Sequence, residues 1–285
     1  MGCEHSVPVA TADDFQYVHP MPAMLLDNTI YPGQAPGQLY HLKMQRNLWR
    51  LPLSTDSFGV RYTDGRPFEA NVEGVTFSFR NKMILRNSRF EPIGVMIKQW
   101  GRFEKTFKIF GFKPFYVGQP PSGEFHDDGR PLFTWAECVD KAFSVRYTMR
   151  TGDGATFVAD RVGKVMGKMQ MKLSRDGRAC AMIVHEPNFL SFRGPVWDLQ
   201  IAPGIDPCMI ICFTAIVDEI LAIEEEERRR QQEMEERNRM CADRCNNNFG
   251  PGMPMNTGFG PNTGFTSVGT GFNTGGFSGG VSMGI

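Results

Sequence analysis

The chain has 285 residues, 41% hydrophobic and 22% charged, with 31 Lys plus Arg against 31 Asp plus Glu. This balance argues against a basic nucleic-acid-coating protein and an acidic disordered chain. The longest apolar run, residues 208–217, is half of a helical membrane span. Seven cysteines with no Asn-x-Ser/Thr acceptor speak against a secreted disulfide scaffold and fit a reducing cytosolic setting.

The N-terminus reads Met1-Gly2-Cys3-Glu4-His5-Ser6, with no basic region and no apolar region of a secretory signal. Gly2, exposed once Met1 is removed, with Ser6 at the preferred hydroxyl position, fits N-myristoylation. One myristoyl chain binds membranes only marginally, with an association constant of roughly 10⁴ M⁻¹, so palmitoylation of Cys3 would be the second anchoring signal. The bland alternative is an unmodified, frayed terminus. Residues 7–38 contain Pro8, Pro20, Pro22, Pro32 and Pro36 and no sustained periodicity. Residues 1–38 therefore read as an acylated terminus and a tether, reaching on the order of 30 Å if flexible.

From residue 39 to about 203 the apolar pattern has period two. Val75, Phe77 and Phe79 alternate with polar residues, as do Ile93, Val95 and Ile97, Met169, Met171 and Leu173, and Trp197, Leu199 and Ile201. Alternation of this kind predicts antiparallel strands with one buried and one wet face. Turn signals recur at Asp64-Gly65, Asp128-Gly129, Asp153-Gly154 and Asp176-Gly177. Ten to twelve one-sided strands must close into a barrel or split into two sheets to avoid bare edges.

One stretch is strongly basic. Between residues 80 and 113 lie Arg80, Lys82, Arg86, Arg89, Lys98, Arg102, Lys105, Lys108 and Lys113, against Glu91 and Glu104 only, a local net of +7. Trp100, Phe103, Phe107, Phe110 and Phe112 are interleaved. Near an anionic leaflet each such cation contributes about 1 kcal/mol. Single-stranded nucleic acid would suit the same composition, but the acylation motif favours lipid. The competing reading is that these are the wet faces of strands.

Residues 208–217 follow Pro207 and are apolar all round, with Asp218 and Glu219 directly behind. A helix hydrophobic on every side must be buried on every side, and the centre of a curled sheet is the natural place. Cys208 and Cys212 then read as inert core thiols. The fold class expected is mainly β, an antiparallel closed barrel around a buried C-terminal hydrophobic helix, over residues 39–223.

Residues 224–245 place Glu224, Glu225 and Glu226 four residues before Arg228, Arg229 and Arg230, supporting a solvated helical extension by about 0.2–0.5 kcal/mol per pair. Cys241 and Cys245 lie four apart without a second ligand pair, so no metal site is expected. Residues 246–285 hold twelve glycines, no charge and spaced Phe residues, and read as a disordered tail able to make weak multivalent contacts or none.

Hairpins leading into Asp206-Pro207, ten apolar-helix residues and Asp218-Glu219-Ile220 resemble the tubby C-terminal-like superfamily. Within it the chain is most similar to the LURP-one-related family, with phospholipid scramblases as relatives. The stretch Leu190-Ser191-Phe192-Arg193-Gly194-Pro195-Val196-Trp197, continuing through Asp206, carries much of this similarity. The resemblance covers residues 39 to about 221 and implies a twelve-stranded barrel around a hydrophobic helix. It also implies lipid dealings: tubby proteins bind phosphoinositides, and scramblases are implicated in lipid movement. The chain lacks the clustered cysteines and the acidic calcium-binding segment of scramblases.

No phosphate-binding loop, His-Glu-x-x-His or paired-Cys zinc knuckle is present, and the five histidines are scattered. The expectation is a non-enzymatic module without cofactor, catalytic residue or nucleic-acid partner, acylated at Gly2 and Cys3 on the cytoplasmic face of a membrane. It would recognise anionic phospholipid or phosphoinositide, or scaffold a membrane complex. Scramblase-like lipid transport, or a soluble scaffold using residues 224–285 for protein partners, are the alternatives.

Overall fold

The computed structural model describes residues 15, 21–22, 24–26, 39–47, 57–74, 82–99, 105–140, 146–165, 168–186 and 195–248. Twelve strands precede one helix. They are β1 (Tyr40–Asn47), β2 (Ser57–Tyr62), β3 (Ala70–Gly74), β4 (Lys82–Asn87), β5 (Pro92–Lys98) and β6 (Lys105–Gly111). Then follow β7 (Phe133–Asp140), β8 (Arg146–Thr151), β9 (Thr156–Val165), β10 (Lys168–Arg175), β11 (Arg178–Glu186), β12 (Val196–Ile201) and α1 (Pro207–Asn248). Each strand pairs antiparallel with its chain neighbour, and β1 pairs with β12, closing the barrel. Closure removes both sheet edges. The expected strand run at Val75, Phe77 and Phe79 lies outside the described residues.

The turn glycines do what their sequence context predicts. Gly65, Gly129, Gly154 and Gly177 all have positive φ, and Asp176 (φ 50°) joins Gly177 (φ 82°) in the two-residue β10–β11 turn. Two successive positive-φ residues match the right-handed twist of the flanking strands.

Every side chain from Cys208 to Val217 is buried, against inward residues such as Leu42, Met96, Phe107, Phe157 and Leu199. Burial on all sides places this part of α1 inside the barrel, as its uniform hydrophobicity requires. Cys208, Cys212, Cys138 and Cys180 are buried free thiols. Burial pushes the Cys180 thiol up to about 12 and raises Cys212 well above its ordinary value, so both stay protonated. Two compact units divide the chain, residues 1–230 and 231–285. The barrel and the first half of α1 belong to the first unit.

Two expectations need correction. In β5 the residue that joins the main core is Met96, while Val95 and Ile97 face outward. They stay dry because Phe110, Leu132 and half-buried Phe112 cover them, the last two from the long β6–β7 connection. Both faces of β5 are therefore apolar. The second correction concerns residues 1–38. Met21, Leu25 and Leu26 are buried in the main core, so this part of the stretch is a docked segment, not a free tether. Burying each such side chain is worth about 1.5–3 kcal/mol, which acts against the entropy of ordering the segment.

Candidate functional site

All even-numbered strands end where α1 begins. We call that end of the barrel the base, and the end where α1 leaves the rim. The basic residues expected to form one belt are divided between them. Lys82, Lys98 and Lys105 stand at the rim, Arg86, Arg89 and Lys113 at or beyond the base ends of β4 and β6, and Lys108 midway along β6. Arg80 and Arg102 lie outside the described residues, as do Gly2 and Cys3.

Several of these cations already have carboxylate partners. Lys82 Nζ lies 2.8 Å from Asp127, whose carboxyl it holds below its usual range. Lys105 lies 3.2 Å from Glu227 on α1, and Arg86 2.5 Å from Glu73. Lys98 acts on the half-buried Glu219, and Lys113 on Asp206. Phe107 and Phe110 are buried, so they cannot stack on bases. Arg130 stands over the Phe112 ring at 4.1 Å, and His126 packs edge-on to the same ring while its Nδ1 meets Asp128 at 3.1 Å.

At the base, the β4–β5 turn presents Arg89 and Phe90. Phe90 is 79% exposed and holds φ 63°, a left-handed conformation uncommon for an aromatic residue. Asn87 builds the turn: its Oδ1 accepts the backbone N–H groups of Arg89 and Glu91, both at 2.9 Å. Arg86 Nη1 donates to the Phe90 carbonyl at 2.9 Å. Arg89 is exposed, with no ion-pair partner among the described residues. Val117, fully exposed, and Tyr116 stand in the β6–β7 connection just beyond the base end of β6.

Beside this turn, the outer face of β2, β3 and β4 carries a pocket of about 370 Å³, with Phe90 as one wall. Its cause is local. β2 and β3 share one backbone pair, Phe58 with Val72, and the seam is completed by Val60 N–H donating to Asn71 Oδ1 at 3.1 Å. Phe58, Val60, Ala70, Val72 and Leu85 point inward, so alternation turns Ser57, Gly59, Asn71, Glu73 and Arg86 outward. Gly59, which has no side chain, is one of the lining residues. Of these residues only Arg86 was expected at a site. An outward Gly between polar positions was the available signal, and it is weak.

The base also receives the docked N-terminal segment. Asp206, fully buried, accepts the N–H of Leu25 at 2.7 Å and that of Cys208 at 2.8 Å. Met21 N–H donates to the carbonyl of Gly204 at 3.0 Å. Burial pushes the Asp206 carboxyl up to about 6 despite these donors. At the rim, Trp197 Nε1 donates to Asp218 at 2.8 Å, with Arg46 3.4 Å from the same carboxylate. Among the described residues no helix is long and apolar enough to cross a membrane.

The sequence model of the LURP-one-related family matches residues 41–218, which is more than half of the chain and spans β1 to the buried turns of α1. The chain belongs to the LURP-one-related family. The match and the closed barrel are consistent with the tubby-like superfamily, a lipid-binding fold family. LURP-one-related proteins are generally non-enzymatic. No curated protein and no solved structure matches the chain.

Proposed function

We propose that this LURP-one-related protein is a non-enzymatic membrane module, held by acyl chains on Gly2 and Cys3 at the cytoplasmic face. Its base recognises anionic phospholipid, phosphoinositide included. The observation that carries this reading is the β4–β5 turn, where an exposed Phe90 follows Arg89 and takes a hydrogen bond from Arg86 on its carbonyl, at the end that also receives Met21 and Leu25. An aromatic tip flanked by cations suits the headgroup boundary: the ring leaves water while each guanidinium meets phosphate for about 1 kcal/mol. Gly2 precedes Phe15, which packs against the main core, by thirteen positions, so an acyl chain there would keep the barrel close to the bilayer.

The packed interior supports recognition over transport. α1 fills the barrel, leaving a lipid no path through it. A second reading, a protein partner along the charged part of α1, is favoured by the exposure of residues 225–241.

Vesicle co-sedimentation of the full, unacylated chain tests the lipid reading. Retention on vesicles carrying phosphatidylserine or phosphoinositide should exceed that on phosphatidylcholine, and Arg89→Glu with Phe90→Ser should abolish the excess. Equal retention of wild type and variant would overturn the assignment of the base.

A further inference from the structure

The pocket beside Phe90 has a donor and acceptor pattern more specific than a basic surface. Arg86 uses Nε on Glu73 and Nη1 on the Phe90 carbonyl, which leaves Nη2 over. Asn71 spends Oδ1 on Val60, which leaves its amide N–H₂. Ser57 is 6% exposed, and its Oγ is buried with no hydrogen-bond partner. A buried hydroxyl without a partner costs about 1–3 kcal/mol, so a ligand atom that satisfies it is favoured. Against these three donors stands one anionic acceptor, Glu73, with Oε1 uncommitted.

The charges sum to zero, one guanidinium and one carboxylate side by side. A polyphosphorylated ring would meet Glu73 with like charge. A ligand carrying both signs would satisfy both residues, its phosphate on Arg86, Asn71 and Ser57 and its cation on Glu73. The cation must also donate hydrogen bonds, because a carboxylate is best satisfied by N–H. A primary ammonium does this and a trimethylammonium does not. The volume, about 370 Å³, is that of a small-molecule site. With Phe90 at the wall, the ester end of such a ligand could continue into the bilayer.

We infer that the pocket formed by Ser57, Asn71, Glu73 and Arg86 binds a phosphate ester of a primary amino alcohol, the headgroup chemistry of phosphatidylserine and phosphatidylethanolamine. This deepens the lipid reading of the base and rests on it for orientation at the membrane.

The test uses the full, unacylated chain in two measurements. Calorimetric titration with phosphoethanolamine, phosphoserine and phosphocholine reads the pocket without a membrane. Co-sedimentation on phosphatidylcholine vesicles with added phosphatidylethanolamine, phosphatidylserine or phosphoinositide reads the lipid source. The two primary amines should bind at least about tenfold tighter than phosphocholine, the factor that one charge-assisted hydrogen bond carries. Glu73→Gln should erase that ratio, and Ser57→Ala should weaken all three ligands alike. The wild-type comparison decides the matter even where a variant fails to fold. Equal affinity for phosphocholine, or no titration signal, overturns the pocket. If anionic vesicles still retain the chain in that case, the membrane reading survives. If no vesicle retains it, both fall.

Discussion

The Oδ2 of Asp206 accepts the backbone N–H of Leu25 at 2.7 Å, joining residues 181 positions apart. Its Oδ1 accepts the N–H of Cys208 at 2.8 Å, so one buried carboxylate both caps α1 and holds the N-terminal segment. Asp206→Asn keeps an acceptor for the cap but turns an amide N–H₂ toward Leu25. The expected outcome is faster amide exchange and proteolysis at residues 21–26, with the barrel still folded. Unchanged protection at Leu25 would contradict this.

The same carboxyl sets a pH dependence. Its folded pKa of about 6 lies above the ordinary 3.8, so the folded state binds the proton more tightly. Stability from this group is therefore greatest below about 4 and falls as pH rises to about 6. The difference in unfolding free energy between wild type and Asp206→Asn should shift by up to about 3 kcal/mol across that window, wild type gaining toward acid. Denaturant titrations at pH 4.5 and 7 measure it.

Trp197 and Asp218 form the corresponding bond at the rim. Trp197→Phe deletes the indole N–H and leaves a buried carboxylate with Arg46 as its remaining ion-pair partner among the described residues. A loss of about 2–4 kcal/mol is expected. Adding Asp218→Leu should return part of that loss, which a double-mutant cycle reads as coupling.

Gly111 ends β6 against an indole. A Cβ there would stand 2.4 Å from Trp135 Nε1, which donates to the Lys113 carbonyl at 2.8 Å. Gly111→Ala must displace the ring and stretch that bond, for a cost of about 2–4 kcal/mol. Thermal melting should fall by roughly 5–10 °C. By contrast Gly65→Ala meets open space and carries only the strain of its φ of 90°.

Membrane fractionation tests the anchor. Gly2→Ala should release the protein to the soluble fraction, and Cys3→Ser should leave a weak, salt-sensitive association, because one acyl chain binds only marginally. Retention of Gly2→Ala equal to wild type would remove the acyl anchor from the proposal.

Local chemistry alone determined much of this molecule. Period-two runs mark strands because neighbouring side chains point to opposite faces, and Asp-Gly pairs mark turns because few other residues accept positive φ. Residues 208–217 announce a helix enclosed by something, since no face of it tolerates water. Face choice and partners did not follow. Val95 and Met96 are both apolar, and only the cover from Leu132 and Phe112 decides that Val95 can face outward. Lys82 and Asp127 stand 45 residues apart, and Lys105 and Glu227 stand 122 apart. Their pairing depends on strand order and on the path of a long loop. The pocket is likewise a product of strand pairing, because Ser57, Asn71 and Arg86 meet only where β2, β3 and β4 lie side by side. Sequence determines what each short segment can be, through its own backbone and side chains. Which segments meet is decided by one shared core, whose lowest free energy is a property of the whole chain.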